Sequence, residues 1–325
     1  MTPAPPLDQL AGLLPLALAA GLDLPLTLLF LGSALWLGFQ SAPPGELGDL
    51  AVALVLGMAA LLWLLELWAE RRPLSALGWN LAQGLVRPLA GALLALLLIP
   101  DAGLLWRVGG AVVTALLTLW TQAARAGWRL LLDLAEAKRP SRILVTAAED
   151  AAALAMVALL LDVPFAASSV AAVTIVLGAT WARPAVRAYA FGARLVWGAT
   201  WGMLAPRRCW REPGRFPRWL TKALSDDALL PGGGLRGAPA GALAHPELDV
   251  FRSGWVVIRG GSPLFLYRRS RRSRSLDLGS VDPVGVARHR LHNRVELRDP
   301  AGRIYALCFP WDGPQIEGLE AEFTV

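Results

Sequence analysis

The chain has 325 residues, of which 55% are hydrophobic and only 17% are charged, and its mean hydropathy is +0.48. Soluble globular proteins usually carry roughly 25% charged residues, so this composition excludes an ordinary soluble fold and also a disordered or collagen-like chain. The charge is divided unevenly: residues 1–182 hold 9 basic and 12 acidic residues, whereas residues 183–325 hold 22 and 13. We therefore expect an apolar first part and a basic second part.

Six apolar segments approach the ~20 residues that a helix needs to cross a bilayer. The first, about residues 10–39, is interrupted at residues 21–25 (GLDLP), and the third, within residues 81–99, is interrupted near Arg87 and Pro88. The other four segments are about residues 47–68, 104–124, 143–161 and 166–182, the last with an extension towards residue 204. Residues 1–204 are thus predicted to form a mainly α, polytopic bundle of about six transmembrane helices, some of them broken.

The basic residues of the connecting loops predict the orientation of the bundle, because short cytoplasmic loops retain Lys and Arg and translocated loops lose them. Loops 40–49, 100–107 and 162–168 carry one basic residue together, whereas connections 70–88 and 125–142 carry eight. The two kinds of loop alternate along the chain. We predict a multi-pass protein of a bacterial cytoplasmic membrane with both termini in the cytoplasm.

The chain changes character after residue 204. Residues 205–248 are rich in Pro and Gly, which do not continue a helix, and are predicted to form a linker. From about residue 250, short runs alternate between apolar and polar residues, the last and weakest being residues 319–325, and Asp299-Pro-Ala-Gly302 has the residues of a hairpin turn. Residues 249–325 are therefore predicted to be a small basic β-rich domain, either a barrel or a sandwich.

A run of arginines lies in this predicted domain: Arg268, Arg269, Arg271, Arg272 and Arg274. The run has three interpretations. It is a solvated hairpin loop, it contacts anionic lipid headgroups, which attract ~1 kcal/mol per cation near the membrane surface, or it binds nucleic acid. No aromatic RNA-binding pattern or recognition helix accompanies the run, so nucleic acid is the least favoured partner.

Ionisable residues inside a membrane are costly unless they are paired or hydrated, so each one in the apolar segments is a candidate for a functional site. The predicted polar site consists of Asp23, Glu66, Arg87, Arg125, Glu149 and Asp150. Each has a plainer interpretation. Asp23 would cap a helix that has Pro25 in its first turn. Glu66 and Glu70 would form an interfacial cluster with the arginines that follow, and Arg129, one turn after Arg125, would extend to the interface.

Glu149 and Asp150 have two interpretations that depend on where the fifth helix begins. If it begins at Ile143, the pair lies about 9–10 Å along the helix and needs a partner such as Arg125 or Arg87. If it begins at Thr146, residues 146–149 form a capping box and both acids lie in the favourable first turn. The sequence alone does not decide between them.

Several kinds of chemistry find no support in the sequence. All three histidines and both cysteines lie after residue 204, and the chain has no HExxH motif, phosphate-binding loop or dinucleotide-binding motif. A zinc site at His289 and His292 lacks further ligands at the required spacing. We therefore expect no cofactor, no metal and no enzyme activity.

Five short motifs occur in an order that resembles a bacterial integral-membrane family, the domain-of-unknown-function family 4126. They are residues 20–25, 66–73, 87–93, 124–129 and 149–150. The resemblance covers about residues 10–200 and implies no established biochemical role. The family pattern has a basic residue, usually Lys, at Arg125, an Asp-Lys pair at Glu70-Arg71, and histidines near Gln83 and Gln122. Glutamine at both histidine positions argues against a histidine-dependent activity in this chain.

Two functions of different classes follow from these features. The first is a small-solute or ion pathway through the membrane at the predicted polar site. The second is a membrane-anchored scaffold whose basic β-rich domain binds anionic lipid or a protein partner. A third, an intramembrane enzyme with Glu149 and Asp150 as an acid–base pair, lacks a nucleophile or a metal. The lipid bilayer is the one partner that every version requires.

Overall fold

The computed structural model describes residues 7–37, 49–69, 73–135, 139–204, 210–226, 234–245, 248, 250–269, 272–278, 281–289, 292–311 and 313–323. The chain divides into two compact units. The helical unit comprises Met1–Leu132 and Glu136–Val186, and the sheet unit comprises Asp133–Ala135 and Arg187–Val325. The division after residue 186 falls inside a long helix, whereas the sequence predicted the domain boundary at residue 204.

The helices are α1 (Leu7–Leu22), α2 (Leu24–Trp36), α3 (Asp49–Ala69), α4 (Pro73–Leu98), α5 (Leu104–Leu134), α6 (Arg139–Asp162) and α7 (Pro164–Leu204). Among the described residues, five helices, α3 to α7, are long and apolar enough to cross a membrane. The first predicted transmembrane segment corresponds to α1 and α2, which are separated by one residue. The mainly helical, polytopic architecture is therefore confirmed, with one of the six predicted segments divided into two short helices.

Large apolar side chains cover the outside of these helices. On α3, the outward stripe is 57–64% exposed and consists of Leu54, Met58, Leu61, Leu64 and Trp68. Comparable exposed residues lie on α4, α5, α6 and α7. In water such continuous apolar faces are unfavourable, whereas in hydrocarbon they are the solvated surface. The chain is a multi-pass membrane protein.

The interior of the helical unit is built around α1. Residues 16–20 of this helix are buried in succession, three of them alanines, as expected for a helix enclosed on all sides. Helix α1 packs on α4 and α6, and α2 packs on α3 and α6. The break between α1 and α2 therefore lies among the other helices.

The predicted interruption near Arg87 and Pro88 is wrong. Helix α4 runs without a break from Pro73 to Leu98 and contains Pro88. Proline lacks the N–H that would bond to the carbonyl four residues earlier, but neighbouring helices in a membrane bundle accommodate the loss. Arg87 is consequently held on a rigid helix.

The sheet unit has seven strands and two described helices outside α7. They are α8 (Arg218–Asp226), β1 (Arg236–Leu243), β2 (Phe251–Arg259), β3 (Ser262–Arg269), β4 (Arg272–Asp277), β5 (Asp282–Arg288), β6 (His292–Arg298), β7 (Ile304–Pro310) and α9 (Ile316–Phe323). The strands form one antiparallel sheet in the order β4-β3-β2-β1-β7-β6-β5. A β-rich C-terminal region is thus confirmed, and it is a single sheet because β1 joins the two groups of strands.

Three details of the predicted C-terminal region are corrected. The predicted linker, residues 205–248, contains α8 and β1, because a strand of small Ala and Gly residues gives no apolar alternation. The segment predicted as a weak strand at residues 319–325 overlaps α9. The sandwich is replaced by one sheet. The predicted hairpin turn is confirmed: Gly302 has φ +81° and donates its N–H to the Asp299 carbonyl at 2.8 Å.

Gly127 on α5 predicts how closely α5 and α7 pack. A Cβ at this position would overlap the backbone carbonyl of Ala185 on α7. We expect Gly127→Ala to lower the free energy of unfolding by about 1–3 kcal/mol, because backbone atoms cannot rearrange as a flexible side chain does.

The matched control is Gly109→Ala on the same helix, where no atom lies within 4 Å of the added Cβ. This change is expected to stabilise the protein by up to ~1 kcal/mol through helix propensity. Thermal unfolding of both variants in one detergent measures the difference. Equal stability of the two variants would contradict the close α5–α7 packing.

Candidate functional site

The site begins at the break between α1 and α2. Asp23 is the one residue between the two helices, and its Oδ1 accepts the N–H of Leu26 at 2.9 Å. Its backbone carbonyl accepts both the N–H and the hydroxyl of Thr27, at 3.0 and 2.6 Å. Asp23 is therefore the N-cap of α2, which confirms the capping interpretation.

This cap leaves two backbone carbonyls of α1 without their usual helical donors. Pro25 has no N–H to give to the carbonyl of Gly21, and the N–H of Leu26, which would normally reach Leu22, bonds to Asp23 instead. Arg87 supplies the missing donors, since its Nη1 lies 2.7 Å from both the Gly21 and Leu22 carbonyl oxygens. A guanidinium group on α4 thus completes the hydrogen bonding of a broken helix.

The other side of the Arg87 guanidinium binds a carboxylate. Its Nη2 lies 2.9 and 3.0 Å from the two oxygens of Glu66 on α3, and Nη2 of Arg125 on α5 lies 2.8 Å from the first of these oxygens. The side chains of Arg87, Glu66 and Arg125 are 0–3% exposed. Glu66 is therefore a buried carboxylate shared by two arginines, and its interfacial interpretation is wrong. Glu70 lies outside the described residues.

Arg125 continues the chain of charges to α6. Its Nε lies 3.0 Å from Oε2 of Glu149, and Arg129 donates to the same oxygen from Nε at 2.9 Å and from Nη2. Because α6 begins at Arg139, Thr146 lies inside the helix and the capping-box interpretation is wrong. Thr146 instead accepts a hydrogen bond from Arg129 at 3.3 Å. Arg129 is therefore part of the network and does not simply extend to the interface.

Asp150 joins the network at its other end. Its carboxyl group is hydrogen-bonded to that of Asp23, and its Oδ1 has no partner among the described residues. Two carboxyl groups can share a hydrogen bond only when one of them carries a proton. One such proton would also make the set of four carboxyl and three guanidinium groups electrically neutral, which is the favourable state in a membrane interior.

The structure brings all six predicted site residues together. With Arg129 they form one ionic cluster: Asp23, Glu66, Arg87, Arg125, Arg129, Glu149 and Asp150. The members come from the α1–α2 break and from α3, α4, α5 and α6. The arrangement can hold a charged or strongly polar group inside an apolar bundle.

Sequence reasoning missed the neutral polar residues beside the ionic cluster. Gln122 on α5 donates from Nε2 to the carbonyl of Asn80 on α4 at 3.0 Å, and Thr118 donates to the carbonyl of Ala17 at 3.2 Å. The side-chain oxygens of Asn80, Gln83 and Gln122 are buried and have no partner among the described residues. The signal was present in the spacing, because residues 80, 83 and 87 lie on one face of α4.

A cavity of about 500 Å³ opens beside the ionic cluster. Its polar end is formed by Arg125 and Glu149, and its walls are mainly apolar, with Trp120, Trp128 and Trp181 among them. Cavities of this composition bind molecules that have an apolar body and a few polar groups. The ion pair thus faces a space large enough for a small molecule.

The donor set of the cluster does not resemble a metal site. No group of three or more His, Cys, Asp or Glu side chains is suitably placed among the described residues. Glu66 and Glu149 already accept hydrogen bonds from guanidinium groups, which a cation would have to displace.

The predicted lipid-contact arginines lie on the hairpin of β3 and β4. Arg268 and Arg269 end β3, Arg272 and Arg274 lie on the edge strand β4, and all four are exposed. Arg271 lies outside the described residues. Arg269 pairs with Arg272, and Tyr267 pairs with Arg274, so the side chains of Arg269, Arg272 and Arg274 share one face of the hairpin.

Comparison with protein families follows this geometry closely. The family model described as Domain of unknown function (DUF4126) matches residues 10–184, more than half of the chain. The chain belongs to this family. The match includes every residue of the ionic cluster and the α4 and α5 glutamines, and it ends before the sheet unit. No curated protein matches the chain.

Membership of DUF4126 places the two glutamine substitutions in the structure. The family pattern that the sequence resembles has histidines near Gln83 and Gln122, and both glutamines are buried on the helices that carry Arg87 and Arg125. Amide groups donate and accept hydrogen bonds without titrating near neutral pH. In this chain, proton transfer at those two positions is therefore excluded.

The hydrogen bonds of Arg87 lead to a stability prediction. We expect Arg87→Lys to lower the free energy of unfolding by about 3 kcal/mol, because lysine keeps the charge but cannot span both carbonyls and both carboxylate oxygens. Arg183→Lys, at an exposed position on α7, is the matched control and should change little. Thermal unfolding in detergent measures both.

Pro25→Ala provides a second variant that tests the cause. In the Arg87→Lys background, alanine restores an N–H that can bond to the Gly21 carbonyl, and we expect a recovery of about 1 kcal/mol. If Pro25→Ala gives no recovery in that background, the carbonyls of α1 are not what Arg87 stabilises.

Proposed function

We propose that the helical unit of this DUF4126 protein is a small-solute or ion pathway, with the ionic cluster as its binding site. One observation carries the proposal. Seven ionisable side chains from five parts of the bundle meet at a broken helix and face a cavity of about 500 Å³. Discontinuous helices with free backbone groups are a common way of building solute sites in membrane proteins.

The energetic cost of the ionic cluster supports a functional role. Buried ion pairs seldom stabilise a fold more than well-packed apolar residues of similar size would. In a membrane the cost of ionisable groups is greater still, and they mark solute and ion pathways. A purely structural bundle could be built from Leu and Ala, which already form the core of α1.

The cluster has a closed end and an open end. Glu66 and Arg87 are 0–3% exposed, whereas Glu149 and Arg129 are 12–13% exposed. Glu149 and Arg125 also line the cavity. The closed end therefore holds the broken helix in place, and the open end is where a solute would exchange with an existing ion pair. No enzymatic step is included in this proposal.

We extend the proposal to orientation in a bacterial cytoplasmic membrane, with both termini in the cytoplasm. Helical hydrogen bonds continue across the break, from the Asp23 N–H to Ala19 and from the Thr27 N–H to Asp23, so α1 and α2 run on as one interrupted helix. One crossing by this helix and five by α3 to α7 give six crossings. An even number agrees with the alternation of basic loops.

Flux through reconstituted vesicles tests the pathway. The probes are protons, followed with an internal pH dye, radioactive Na⁺, and swelling in urea or glycerol. We expect at least one probe to cross faster than in empty vesicles, and Glu149→Gln to lower that flux at least tenfold because it breaks the contacts with both Arg125 and Arg129.

The matched control is Asp162→Asn, an exposed acid at the end of the same helix α6. Its flux should remain within twofold of the wild-type protein. Thermal unfolding of each variant shows whether it is folded. Wild-type flux equal to that of empty vesicles for every probe would contradict the pathway, as would full flux in a folded Glu149→Gln protein.

A second candidate function is binding of anionic lipid by the β3–β4 hairpin, and the shared face of Arg269, Arg272 and Arg274 favours it. Hydrogen exchange of residues 262–278 in nanodiscs tests it. We expect slower exchange in phosphatidylglycerol than in phosphatidylcholine, and no such difference when the three arginines are replaced by glutamine. Equal exchange of the wild-type hairpin in both lipids would contradict lipid contact.

A further inference from the structure

Arg268 differs from the other arginines of its run, because it lines a cavity in the sheet unit. Pairing of Trp255 with Leu266, together with the alternation of side chains along a strand, places Ser253, Trp255 and Arg268 on one face of the sheet. The cavity has a volume of about 220 Å³ and is bounded on this face also by Trp219 of α8.

Helix α7 supplies the other basic residues of this cavity. Arg187 and Arg194 both line it, and a separation of seven residues places them on one face of the helix. The guanidinium groups of Arg187, Arg194 and Arg268 therefore come from two separate elements of the sheet unit.

The cavity is strongly positive. None of its described lining residues is acidic. Arg211 adds a further charge nearby, since its guanidinium lies 5.5 Å from the ring centre of Trp255. Arg252 also lines the cavity, while its guanidinium lies 5.6 Å from the ring centre of Tyr267. Trp255 is buried, and an apolar wall of this kind strengthens electrostatic attraction to an anion.

We propose that this cavity binds a phosphate group. Each arginine fork matches a pair of oxygen atoms. A carboxylate offers one such pair, whereas a tetrahedral phosphate presents several edges and can be bound by arginines from different directions. The volume lies below the ~300 Å³ at which sites for larger ligands begin, so the ligand is inorganic phosphate or the phosphate of a small headgroup. This site is independent of the proposed pathway in the helical unit.

The test uses the full-length protein in a zwitterionic detergent, with orthophosphate titrated at constant ionic strength and binding followed by calorimetry. We expect saturable binding that weakens at least tenfold in the double variant Arg187→Gln/Arg194→Gln. The matched control is Arg259→Gln/Arg298→Gln, which removes the same charge from exposed strand ends outside the cavity and should change affinity less than threefold.

A second arm distinguishes free phosphate from a lipid phosphate. Native mass spectrometry counts phosphatidylglycerol and phosphatidic acid molecules retained by the wild-type protein and by both double variants. Selective loss of retained lipid in the cavity variant, without orthophosphate binding, supports the site and identifies a lipid as the source of the phosphate.

Three outcomes would overturn the proposal. The wild-type protein could bind neither orthophosphate nor these lipids, or both double variants could lose binding equally, which would indicate a general effect of charge. Binding could also persist unchanged in a cavity variant. The thermal unfolding temperature without ligand verifies the fold, and if the double variant unfolds, the single variant Arg194→Gln, at an exposed position, replaces it with an expected loss of at least threefold.

Discussion

The helical unit depends on one guanidinium group that satisfies two demands at once. A break in a membrane helix leaves backbone carbonyls that neither water nor lipid can satisfy, and a buried carboxylate needs a cation. Arg87 meets both demands, with one nitrogen on the carbonyls of Gly21 and Leu22 and the other on Glu66. The broken helix and the ionic cluster consequently require each other.

This linkage also explains how a stable bundle can contain a site that exchanges its partners. Arg87 and Glu66 are enclosed and keep their geometry, while Glu149 accepts hydrogen bonds from Arg125 and Arg129 beside a cavity. Binding at the open end can rearrange the outer ion pair without releasing the broken helix. Sites held by a rigid inner set of contacts are pre-organised, and less binding energy is spent on ordering them.

The sheet unit distributes its positive charge over two surfaces. Alternation along β3 sends Arg269 to one side, with the arginines of β4, and Arg268 to the other, where it meets the arginines of α7. A single run of basic residues in the sequence therefore supplies an exposed face and an enclosed cavity. The two environments differ in the ligand they fit, a broad anionic surface for the first and one small anion for the second.

The sequence alone determined the membrane character, the order of the apolar helices, the hairpin turn at Gly302 and the identity of six charged site residues. These features depend on local composition, and burial of charge in lipid is costly wherever it occurs. Tertiary structure decided the partners. The roles of Arg129, Asn80 and Gln122, the uninterrupted course of α4 and the strand of small residues at β1 depend on contacts between segments distant in the chain. No local pattern records which carbonyl or carboxylate a guanidinium group will reach, because that distance is set by how the helices pack.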